Sequence, residues 1–193
     1  MYNSKLRKRD TKALEEYLVT ALGAHPLFMY YCPDRTQRQK YIEAFLNYHL
    51  PKWSKTGSIL IGPKKRSAAS LIAKEDFEFL ISGRRALPLL LEGGVSRIRL
   101  HRKVTRNIVS VLVPSGMPVK VLTLFGDSTK DKDDMLALVK QAAQQAKEEN
   151  FVIVYETFSR RLIPDMEKLG FETGYQRNFM DTRFIQTLMT FNI

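Results

Sequence analysis

The sequence predicts an α/β protein with a central mixed β-sheet flanked by helices. Three observations carry this. Residues 119–125 (VKVLTLF) and 151–155 (FVIVY) are short apolar runs rich in β-branched residues, as buried strands are. Between them, residues 130–149 repeat apolar positions at helical spacing, with Met135, Leu138, Val139, Ala142, Ala143 and Ala146 on one face. After them, Pro164 opens a short charged helix at 165–169, Gly170 stands where a helix stop needs positive φ, and Phe171 starts another strand pattern.

The chain upstream supplies the flanking helices. Residues 11–22 carry Leu14, Tyr17, Leu18, Ala21 and Leu22 on one face, with Asp10 and Thr11 as N-cap candidates, and Gly23 closes the helix. HPLFMYYCPD reads as an apolar turn, and 36–50 as a second helix with Tyr41, Ile42, Phe45, Leu46 and His49 aligned. Residues 58–61 and 68–73 read as antiparallel strands joined by a Gly-Pro turn whose Lys64, Lys65 and Arg66 are solvated. A helical pattern over 75–91 is bent at Pro88 and stopped by Gly93 and Gly94; a further helix is expected over 95–113. Segments 171–179 and 184–191 close the chain as a hairpin joined at MDTR.

Composition bounds what this fold does. The chain has 193 residues, 44% hydrophobic and 26% charged, enough for one sizeable core, so a single domain over 1–193 is expected. No apolar run approaches the roughly 20 residues of a membrane helix, and no apolar segment follows the basic start, so no membrane association and a cytoplasmic location are expected. Cys32 is the sole cysteine, which rules out an intramolecular disulfide and a cysteine metal cluster. The three histidines lack metal-ligand spacing, so no metal site is expected. The formal net charge of +11 suits an anionic partner or simply a well-solvated surface. Arg99, Arg102, Lys103 and Arg106 form a stripe that either binds phosphates or is the wet face of a core helix. The second reading is preferred, so nucleic acid is expected to associate only weakly and non-specifically.

At ETFSRRLIPDMEKLGFE the sequence resembles the late segment of the GNAT (GCN5-related) acyl-CoA N-acyltransferases, through Glu156, Thr157, Pro164, Glu167, Lys168, Leu169, Gly170, Phe171 and Glu172. The two early helices around HPLF are also similar to a GNAT subgroup, in which they wall the acceptor cleft. The resemblance implies a GNAT fold and transfer of an acetyl group from acetyl-CoA to an amine of unknown identity. It implies that the backbone of Leu124 and Phe125 holds the pantetheine, and that Lys130, Asp131, Lys132, Asp133, Asp134 and Met135 cradle the diphosphate at a helix N-terminus.

Two departures accompany it. The family's Q/R-x-x-G-x-G/A loop falls on Lys130 to Met135, with Asp133 and Met135 on the glycine positions. Asp131, Asp133 and Asp134 then bring like charge toward a diphosphate, Asp133 is placed to cap its own helix, and Lys130 and Lys132 partly offset the charge. Replacing Asp133 and Met135 with Gly is expected to open the loop at a helix-propensity cost of up to about 1 kcal/mol each. Many GNAT enzymes protonate the departing thiolate with a Tyr that falls here on Met166, leaving Tyr155 and Tyr175 as substitutes and the catalytic residues unassigned. The alternative to an active acyltransferase is a catalytically silent GNAT-fold binding protein whose basic surface meets an anionic partner.

Overall fold

A computed structural model describes residues 8–55, 59–74, 86–110, 116–179 and 182–193. Six strands form one mixed sheet in the order β1-β2-β3-β4-β6-β5. These are β1 (Ile59–Ile61), β2 (Ala68–Ala73), β3 (Val119–Phe125), β4 (Val152–Thr157), β5 (Phe171–Asn178) and β6 (Ile185–Phe191). Among the described residues only β3 and β4 run parallel, joined by helix α5 (Lys132–Glu149) as a crossover; the other neighbours are antiparallel. The terminal hairpin is present, and its second strand inserts between β4 and β5.

Strand alternation divides the core in two. Val152 and Val154 of β4 join the core beneath α1 (Lys8–Leu22), α2 (Pro26–Tyr31), α3 (Arg35–Lys55) and α4 (Leu87–Ser110). Ile153 and Tyr155 face α5 and α6 (Ile163–Lys168) with Leu138, Val139, Met166 and Phe171. Gly170 ends α6 at φ +92, a conformation that favours glycine, and a Cβ there would press on the Phe191 ring at 3.1 Å.

Several boundaries differ from expectation. PLFMYY is the helix α2, because the His25 imidazole caps it and Pro26 pre-sets its first turn. Helix α1 already includes Lys8, the first described residue, so Asp10 and Thr11 lie inside it and not at its cap. Helix α3 continues through Pro51 to Lys55. Helix α4 breaks at Gly94 (φ +67), at the stop expected there. Helix α5 starts at Lys132, which places Asp133 in its first turn and Asp131 at the N-cap. The expected elements over 75–85 and 111–115, the Met180 and Asp181 turn positions, and the side chains of His101, Arg102, Lys103 and Arg106 lie outside the described residues. Among the described residues no helix is long and apolar enough to cross a membrane.

Candidate functional site

The site begins where β3 and β4 part. Their ladder runs from Val119↔Val152 to Leu122↔Tyr155 and ends there. Beyond that point β3 stays with β2 as far as Phe125, while β4 stays with β6 as far as Thr157. The strands fork, and the edges of 123–125 and 156–157 that face each other have no strand partner. A polar backbone edge without a partner is costly unless solvent or a ligand satisfies it.

A cleft of about 590 Å³ fills the fork. Its walls come from the α1–α2 turn, the end of β3 with the loop 126–129, and the end of β4 with the turn 158–162. Of the residues expected at a donor site, Leu124 and Met135 line this cleft; Phe125, Lys130, Asp131, Lys132, Asp133 and Asp134 do not. Phe125 is buried in the core, stacked on Trp53 at 5.4 Å.

The acidic helix start is largely committed to the protein. Buried Asp134 accepts hydrogen bonds from Lys64 N (2.7 Å), Arg66 N (3.3 Å) and Ser67 Oγ (2.6 Å), which pins the β1–β2 turn to α5. Gly62 is required beside it, since a Cβ there would fall 2.1 Å from Asp134 Oδ2. Buried Asp131 accepts from the Tyr17 hydroxyl; burial, then that hydrogen bond, push the Tyr17 hydroxyl up to about 12. Lys132 pairs with Asp165 at 2.5 Å. Of the three acids expected to repel a diphosphate, only Asp133 is exposed, so the repulsion is smaller than the sequence suggests. Asp133 does not cap the helix, and Asp131 at the N-cap makes no side-chain cap bond. Among the described residues no protein acceptor takes the amides of Lys132, Asp133 or Asp134, which leaves a polar helix start. Met135, by contrast, is buried, and its Sδ would stand 3.3 Å from a Cβ at Gly126, so its side chain packs closely against that glycine.

Glu156 also lines the cleft at the fork. It follows Tyr155 on β4 and so turns to the side of α1–α4. Burial lifts its carboxyl from 4.5 to about 7, against the opposing Gln186 hydrogen bond and Arg177 charge. Gln186 Nε2 donates to Glu156 Oε1, and Arg177 Nε donates to Gln186 Oε1 at 2.7 Å. The guanidinium, which can only donate, thereby sets the orientation of the fully buried Gln186 amide and turns its NH₂ toward Glu156. A carboxyl near 7 is matched to taking a proton at neutral pH.

Two further side chains border the cleft. His25 Nδ1 accepts from Leu27 N (3.3 Å), and burial lowers the imidazole to about 4, so it stays neutral and serves as a cap. Tyr155 lies on the α5–α6 side, and burial raises its hydroxyl to about 12. Of the two tyrosine substitutes for Met166, Tyr155 reaches the cleft; Tyr175 packs on the opposite face of the sheet and does not line it. Met166 is fully buried. The sequence reading missed a role for Glu156. The available signal was a lone acid at the end of the apolar run FVIVY.

The chain is similar to solved acetyltransferase structures. A histone acetyltransferase HPA2 and related acetyltransferase from Corynebacterium glutamicum aligns over 97% of this chain and 93% of its own, with TM-score 0.64 and 15% identity. The C-terminal condensation domain of Ebony, solved with beta-alanyl-dopamine, covers 97% and 96% with TM-score 0.64 and 12% identity. A third structure named only as an acetyltransferase covers 97% and 96% with TM-score 0.52 and 13% identity. No protein-family model and no curated protein sequence matches. At these identities the likeness shows the fold, which is the GNAT fold.

Proposed function

We propose that this chain is a GNAT-type N-acyltransferase that moves an acetyl group from acetyl-CoA to an amine, with Glu156 as the general base. The observation that carries the reading is the forked β3–β4 edge with a carboxyl held near 7 on its α1–α4 side. The unpaired backbone edge of Thr123 to Phe125 suits the amide groups of a pantetheine arm, and the open helix start suits its anionic end. The residues present therefore fit a CoA thioester, although the diphosphate loop of the family is altered at Met135.

When bound, the thioester supplies an activated acetyl carbonyl. The chain's own residues do the rest. Glu156 takes a proton from the incoming ammonium, so that the nitrogen lone pair can form the N–C bond as the C–S bond breaks. Gln186, held by Arg177, occupies one carboxylate oxygen and leaves the other for the amine. Tyr155, protonated throughout the working range, offers its hydroxyl on the α5–α6 side as a hydrogen-bond donor to the departing sulfur, which leaves as the thiol with the second proton that the nitrogen sheds on becoming an amide. The two neighbours named acetyltransferases support this reading.

A second reading, a GNAT-fold binding protein without turnover, is favoured by Met166 and by the packing of Met135 against Gly126. One experiment separates the two. Thiol release from acetyl-CoA is followed against a panel of primary amines, with Glu156→Gln in parallel. Amine-dependent release that falls with Glu156→Gln supports the transferase; acetyl-CoA binding without release for any amine supports the silent protein.

A further inference from the structure

If the donor is a CoA thioester, as the reading above holds, its phosphates favour cationic partners, and of the residues at the family loop position only the apolar Met135 lines the cleft. Asp134 and Asp131 are tied to the β1–β2 turn and to Tyr17, and Met135 closes on Gly126. The opposite wall has a different character. Arg160 and Arg161, in the turn between β4 and α6, both line the cleft and are both exposed. The ion pairs at this end of the sheet use other cations, Lys132 and Lys168 with Asp165 and Lys130 with Asp127. Among the described residues neither arginine has an acidic partner.

We infer that Arg160 and Arg161 hold the phosphates of a nucleotide thioester across the cleft from the β3–α5 loop. Two adjacent guanidiniums present planar forks of donors matched to phosphate oxygens, and being unpaired they lose no internal ion pair on binding. Facing them, Ser128 and Thr129 line the other wall, and the amides at the start of α5 follow in sequence. Phosphate recognition has thus moved from a glycine loop to an arginine pair. The pantetheine arm remains a separate contact at the fork. The glycine positions can then be lost without loss of the ligand class, which reconciles the altered loop with the retained cleft.

The test compares the affinities of CoA and of pantetheine, which lacks the nucleotide, by isothermal titration at low and at physiological salt. Proteins are the wild type, the double variant Arg160→Gln/Arg161→Gln, and Lys140→Gln as a control for charge removed from an exposed site on α5. Wild type is expected to bind CoA more tightly than pantetheine. The double variant should lose about 10- to 100-fold in CoA affinity, the effect of one or two charged hydrogen bonds, with pantetheine affinity unchanged and the salt dependence flattened. The control should match wild type. CoA affinity in the double variant within about twofold of wild type overturns the inference. Equal wild-type affinity for CoA and pantetheine overturns it too, while leaving the thioester reading in place. Binding of neither ligand by wild type overturns both.

Discussion

Replacing Glu156 with Gln should weaken catalysis and strengthen the fold, and the two effects share one cause. The carboxyl is lifted from 4.5 to about 7 chiefly by burial. Between those values the native state retains a proton that the unfolded chain has lost, so stability falls as pH rises; above 7 the deficit is constant. The deficit amounts to about 3 kcal/mol. Gln has no proton to lose, and its carbonyl can still accept from Gln186 Nε2. Relative to wild type, Glu156→Gln should therefore gain about 3 kcal/mol between pH 4.5 and pH 8. His25, lowered to about 4, contributes the opposite slope, with stability lost as pH falls from 6.5, but it does so in both proteins and cancels. Urea unfolding followed by fluorescence of buried Trp53, the sole tryptophan, measures the gap at each pH. In the same variant kcat/KM should drop by about 10² to 10⁴, and the wild-type value should rise with pH to a plateau above about 7. A stability gap that does not change between the two pH values would refute the buried-base assignment, whatever happens to activity.

The other predictions concern the helix start. Asp134→Ala strands the donors of Lys64, Arg66 and Ser67 and should cost about 3 kcal/mol in urea unfolding, with Asp134→Asn recovering part of it. Met135→Gly removes a buried side chain, so it should cost about 3 to 5 kcal/mol and not the propensity penalty alone; Asp133→Gly, at an exposed position, should cost at most about 1 kcal/mol. Unfolding curves that rank the two glycine variants the other way would contradict the packing described for Met135.

What could be read from the sequence follows the range of the interactions involved. Strand β3 matches its expected 119–125, because PSGMP and GDST bracket an apolar run that only a buried strand accommodates. Gly170 was legible because a helix stop is a local event. Helix α2 was not, since six apolar residues have no visible period and the helix depends on a histidine cap. The roles of Asp131 and Asp134 were hidden because their partners lie 114 residues away at Tyr17 and 67 residues away at Ser67. Treated as bare charges at a helix start, they suggested repulsion; folded, they are hydrogen-bonded joints. Glu156 was visible as an acid after an apolar run, but its raised proton affinity comes from burial on a sheet face shared with elements far along the chain.

Whether the fork is the donor site is tested most directly by amide hydrogen exchange of the wild-type protein with and without acetyl-CoA. Protection should appear at those amides of 123–125 and 156–158 that point into the fork, on the edges where the β3–β4 ladder has ended, and at the first turn of α5. Amides of 119–122 and 152–154, already paired, should change little. Acetyl-CoA bound with protection confined to other elements, or with none at the fork, would contradict the assignment of this cleft.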